Sequence, residues 1–163
     1  MRTLTKTLAA GFLLGTLLQV SAAEPSWLTD ATKAQAQAKA ENKLVLLDFT
    51  GSDWCGWCIK LNKEVFSTPE FAEYAKKNLV LVEVDFPRRK ELSEAQKSAN
   101  ETLSKKYGIK GFPTLVLLDG GGKKVGELSY SDGVEKTEGM DRSKLLAKPA
   151  TFIAAIEKKK PAK

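Results

Sequence analysis

Cys55 and Cys58 are the only cysteines in a chain of 163 residues that contains no histidine. They stand in the stretch Asp53-Trp-Cys-Gly-Trp-Cys58, with Gly56 and Trp57 between them. Two thiols at this spacing can supply half of a tetrahedral metal site, brace a turn, or exchange disulfides with another molecule. A zinc site needs four ligands. Without histidine or a third cysteine, the other two would be carboxylates or would come from another chain, so no metal is expected. Covalent haem attachment needs a histidine after the second cysteine, and this chain has Ile59 there. A disulfide across so short a loop removes little chain entropy compared with a long one, which weakens the bracing reading without removing it.

Exchange chemistry asks more of the surroundings. Leu44-Val-Leu-Leu-Asp-Phe-Thr50 is an almost continuous apolar run, the pattern of a strand covered on both faces. Gly51, Ser52 and Asp53 break it, and the residues from Cys55 to Phe66 place Cys58, Leu61 and Val65 at helical spacing. Cys55 is thereby expected at a helix N-terminus, where free N–H groups and the helix dipole favour a thiolate. That setting lowers a cysteine pKa from ~8.5 into the range of roughly 3.5–7.5. Cys58, one turn further in, is expected to be more buried and to resolve the mixed disulfide that Cys55 forms. The resolving thiol needs a proton acceptor, and Asp48 is the only carboxylate in the apolar run.

Other elements must hold this arrangement. A helix is expected over Thr29–Asn42, with Asp30 available as its cap. Ser67-Thr-Pro-Glu70 reads as a further helix start, with Pro69 at the first helical position. Leu79–Asp85 is a second strand closed by Pro87, and a long polar helix is expected from Arg89 to Tyr107, stopped by Gly108. Thr114–Leu118 is a third strand, and a Gly-rich turn leads into a fourth over Lys124–Tyr130. A last helix is expected over Ser143–Lys158, disturbed at Pro149, with Leu145, Leu146, Phe152, Ile153 and Ile156 on its buried side. Alternating strands and helices followed by a hairpin indicate an α/β domain, a mixed central sheet of four to five strands with helices on both faces.

The N-terminus reads differently. Arg2 and Lys6 precede a mostly apolar run from Leu8 to Val20, and the small residues Ser21, Ala22 and Ala23 follow. These features predict a cleaved signal peptide over residues 1–23, leaving one domain over residues 24–163 with a basic tail. The run is interrupted by Gly11, Gly15, Thr16 and Gln19 and falls short of the ~20 apolar residues of a spanning helix, so no stable membrane insertion is expected after cleavage. Export would place the chain in the periplasm or outside the cell, where disulfides form readily. Of the basic excess (26 Lys and Arg against 20 Asp and Glu), much sits in Lys158, Lys159, Lys160 and Lys163. None of the tryptophans lies in a basic cluster along the sequence, so nucleic acid is not an expected partner.

Asp48 through Cys58, together with Tyr107-Gly-Ile-Lys-Gly-Phe-Pro-Thr114 before an apolar strand, resemble the thioredoxin superfamily. The likeness runs from Leu44 to Ile156, and Trp27 with Gly-Ser-Asp-Trp-Cys-Gly-Trp-Cys is similar to exported bacterial members. The resemblance implies a thioredoxin fold, a redox-active Cys55–Cys58 disulfide and no bound cofactor. It implies that Cys55 attacks, Cys58 resolves and Asp48 is the buried acid. It also implies that Pro113 is a cis-proline facing the dithiol, and that the backbone of Phe112 pairs with a substrate chain. Trp54, Gly56 and Trp57 are candidate substrate contacts; Trp57 is expected to be partly exposed, and Trp54 to share in packing.

The departures are Trp57 where reducing thioredoxins have proline, and the lack of a proline after Cys58, which suggests a straighter helix. The lysine that many thioredoxins place near the buried acid corresponds to Leu81, and the Arg89–Tyr107 helix is longer than in a minimal thioredoxin. The expected activity is thiol–disulfide exchange with protein thiols and disulfides, leaning towards reduction and recharged by a membrane electron donor or acceptor. An oxidase or isomerase is the alternative, as is a binding or chaperone module whose disulfide is incidental.

Overall fold

Five strands form one sheet among the described residues, which are 25–135, 141 and 145–161 of a computed structural model. They are β1 (Trp27–Leu28), β2 (Leu44–Thr50), β3 (Leu79–Asp85), β4 (Thr114–Leu118) and β5 (Lys124–Leu128). Their order is β1-β3-β2-β4-β5, with β1, β3 and β2 parallel and β4 and β5 antiparallel to their neighbours. The helices are α1 (Ala31–Glu41), α2 (Gly56–Leu61), α3 (Pro69–Asn78), α4 (Glu94–Tyr107) and α5 (Pro149–Glu157). This is the thioredoxin fold. Residues 1–23 of the expected signal peptide, the expected helix start at Ser143 and the tail residue Lys163 lie outside the described residues.

Every residue of β2 is buried, and strand alternation explains how. Leu44 and Leu46, with Leu79, Leu81, Leu115 and Leu117, face a layer of Leu61, Val65, Phe66, Phe71, Phe152 and Ile156. Val45, Leu47 and Phe49, with Val80, Val82, Val84 and Val116, face Ala34 and Ala38 of α1 and Leu103 and Tyr107 of α4. Two apolar layers on one sheet are why the strands read as continuous apolar runs. The same alternation puts Asp48 on the face covered by α2.

Several boundaries differ from expectation. A two-residue β1 is too short to show a periodicity. α4 begins at Glu94, not Arg89, because Ser93 caps it by accepting from the Gln96 N–H, while the N–H groups of Arg88, Arg89 and Lys90 go to Asp53. The helix is therefore not extended at its start. α2 widens into a π-helical turn at Asn62–Phe66. β5 stops at Leu128, and Ser129 with Asp132 makes a capping box that opens a short 3-10 turn over Tyr130–Gly133. Pro149 does not disturb α5 but starts it, so Leu145 and Leu146 precede the helix; Leu145 packs on the core, whereas Leu146 is 60% exposed.

Candidate active site

β2 ends at Thr50, and a tight loop delivers the cysteines to the start of α2. The Cys55 N–H donates to the Gly51 carbonyl at 2.9 Å. Gly51 has no room for a side chain: a Cβ there would stand 2.5 Å from the Trp54 indole. Ser52 fastens the loop to the end of β3, its N–H and hydroxyl donating to the Asp85 carboxylate at 2.9 and 2.6 Å. Cys55 and Cys58 form a disulfide with Cα atoms 5.2 Å apart. Cys55 is the N-cap of α2, and its Sγ accepts the Cys58 N–H at 3.2 Å. Both are nearly equally buried in this oxidised form, at 7% and 5% exposure, so the expected contrast between them is absent here. Gly56 and Trp57 are exposed.

Asp48 and Cys58 line one cavity of about 350 Å³ with Thr50, Ser52, Ile59, Asn62, Lys63 and Glu83. Asp48 Oδ1 is buried with no hydrogen-bond partner among the described residues. Burial, and then the charges of Glu83 and Asp85, push the Asp48 pKa from 3.8 to about 8. Glu83 was not among the expected site residues. The parallel β2–β3 register sets it directly beside Asp48, whereas Leu81, the expected neighbour, pairs with Leu46 and lies in the core. Glu83 is half-buried, and burial and Asp85 raise its own pKa while Lys90 opposes them. Its polarity within an apolar strand was visible; its position beside Asp48 depends on a register that the sequence does not spell out.

Aromatic rings form the neighbouring wall. Trp54 Nε1 donates to the Phe86 carbonyl at 2.7 Å, its ring meets Phe112 edge-on at 5.9 Å, and Phe112 stacks on Phe86 at 5.3 Å. The Phe112–Pro113 bond is cis, and Pro113 is buried. Trp57, 44% exposed, rests on Tyr130 at 4.9 Å. Tyr130 is itself fixed: its hydroxyl donates to Glu64 at 2.7 Å, and Glu64 also accepts the Ala147 N–H at 2.9 Å. Burial and Glu64 hold the Tyr130 pKa above the usual phenol range.

Residues 31–132 match the family described as thioredoxin-like domain. The chain belongs to that family. It is 37% identical over 125 residues to the "Disulfide bond reductase DsbH" of Chlamydia pneumoniae, covering 77% of this chain and 75% of that protein. It is 34% identical over 92 residues to the "Thioredoxin-related protein DsbJ" of the same organism, covering 56% of this chain and 26% of that protein. A solved "DsbH Oxidoreductase" superposes with a TM-score of 0.72 at 30% identity, over 92% of this chain and 94% of that one. A thioredoxin from Thermus thermophilus shares the fold, with a TM-score of 0.57 at 19% identity over 83% and 87% of the two chains. The Cys-Gly-Trp-Cys disulfide on this fold makes the protein a thiol–disulfide oxidoreductase.

Proposed function

We propose that the protein is an exported reductase of protein disulfides, with Cys55–Cys58 as its redox centre and neither metal nor bound cofactor. Export rests on the N-terminal sequence, residues 1–23 reading as a cleaved leader. In the reduced protein the Cys55 thiolate attacks one sulfur of a substrate disulfide, forming a mixed disulfide and releasing the other substrate sulfur as a thiolate. Asp48, ionised, takes the proton from Cys58. The Cys58 sulfur then attacks Cys55 Sγ, closing the Cys55–Cys58 disulfide and releasing the second substrate thiol. Two electrons pass from the pair to the substrate. The cavity under Cys58, with Glu83 and Lys63 on its walls, gives the Asp48 proton a way out to water. Trp57, Trp54 and the Phe112–Pro113 backbone are the surfaces offered to the substrate chain, and a membrane redox protein is the class of partner that would recharge the dithiol.

The direction rests on one observation, the placing of Glu83 beside Asp48 in register under the pair. Carboxylates there disfavour a thiolate and so favour the disulfide form. A site that stabilises its disulfide gives electrons away readily, whereas a strong oxidant stabilises its reduced form. The DsbH relative, called a disulfide bond reductase, supports the same direction. Trapping tests the activity. Cys58→Ser, expressed with its leader, should accumulate adducts with exported proteins that dithiothreitol releases, while Cys55→Ser should not. Equal recovery of no adducts from both would contradict exchange with proteins.

A further inference from the structure

The segment after β3 brings three cations to the rim of the site. Arg88, Arg89 and Lys90 are exposed, and their backbone is held by one side chain. Asp53 accepts from the N–H groups of Arg88 (2.9 Å), Arg89 (2.7 Å) and Lys90 (3.2 Å). These contacts, with help from Arg89, hold the Asp53 carboxyl below its usual range. Asp53 lies two residues before Cys55, so the basic segment is tied to the dithiol loop itself. Arg88 then stands over Trp54, its guanidinium carbon 3.9 Å from the ring centroid. Trp54 precedes Cys55 and touches Phe112, the residue before the cis-proline. The cation therefore caps the aromatic wall that a substrate chain would follow. None of the three side chains takes part in an ion pair formed among the described residues, although Glu91 follows them in the chain.

Resting on the exchange reading above, we infer that Arg88, Arg89 and Lys90 form a docking rim for acidic polypeptide, so that disulfides flanked by Asp and Glu are attacked faster than otherwise equal ones. Asp53 fixes the rim's position, Arg88 sits over the ring of Trp54, the residue before Cys55, and Arg89 and Lys90 add two further charges. Charge of this kind acts on encounter and orientation, and salt screens it.

Two cyclic disulfide peptides, identical except for Asp and Glu or Ser and Gln around the cysteines, test this. Prereduced protein, freed of reductant, is mixed with each, and the second-order rate of its oxidation is divided by that peptide's rate with dithiothreitol. The acidic peptide should win by on the order of tenfold at low ionic strength. Its advantage should shrink towards parity at about 0.5 M salt, where the screening length is only a few ångströms. R89Q/K90Q, which leaves the Trp54 stack in place, should lower the low-salt ratio, and adding R88Q should lower it further. Equal rates for the two peptides at low salt, or a ratio untouched by these variants, would overturn the rim while leaving exchange intact. Failure of both peptides to oxidise the protein would overturn the exchange reading and the rim with it.

Discussion

Asp48 carries the strongest electrostatic consequence at the level of single residues. It ionises near 3.8 in the open chain and at about 8 when folded, so between those values the folded state holds the extra proton. Stability therefore falls as pH rises through that window and levels off above it. Asp48→Asn removes the penalty, and urea unfolding of the oxidised protein at pH 8 should show it more stable by on the order of 5 kcal/mol. If Asp48 is the proton acceptor of Cys58, as proposed, the same substitution should slow release from the mixed disulfide. In the parent that step should speed up with pH until about 8, and the variant should lack this limb. Glu83→Gln removes a like charge beside Asp48 and should move the limb down by about one pH unit; an unmoved limb would contradict the coupling. The sequence showed Asp48 plainly, since a lone carboxylate in an apolar run is conspicuous. It hid Glu83's role, since a neighbour across a parallel pair is set by register and not by spacing along the chain.

Between residues and the whole molecule, loop attachments position the dithiol. Gly51→Ala puts a methyl group into the Trp54 indole and should destabilise the protein by roughly 1–3 kcal/mol, as overpacking does, measured by thermal or urea unfolding. Asp53→Asn should leave the fold in place but loosen the 88–90 segment, so that these three amides exchange with solvent faster while those of β2 do not. Tyr130→Phe deletes a partner of Glu64 and should cost about 1–3 kcal/mol, with a shift in Trp57 fluorescence because the ring under it loses its anchor. Core strands were legible to the residue: Leu44–Thr50, Leu79–Asp85 and Thr114–Leu118 are apolar on both faces and bounded by breakers. Two helix starts were not. α4 starts late because Asp53, far away in sequence, captures the preceding amides, and α5 starts late because Pro149 opens the helix.

At the scale of the molecule, the two apolar layers hold a parallel strand pair that brings Asp48 and Glu83 together under α2, with the cysteines at the start of that helix. The fold was readable because the dithiol block and the Gly-Phe-Pro-Thr block occur in order, separated by a strand and a helix. The direction of electron flow was not readable from Gly56 and Trp57, and the proposed direction rests on the carboxylates placed beneath the pair. The reduction potential of Cys55–Cys58, equilibrated against glutathione at pH 7, tests this most directly. A reductase of this kind should show a value at or below roughly −270 mV, the reducing end of the related dithiols. A value between about −180 and −120 mV, where isomerases and strong oxidants lie, would contradict it.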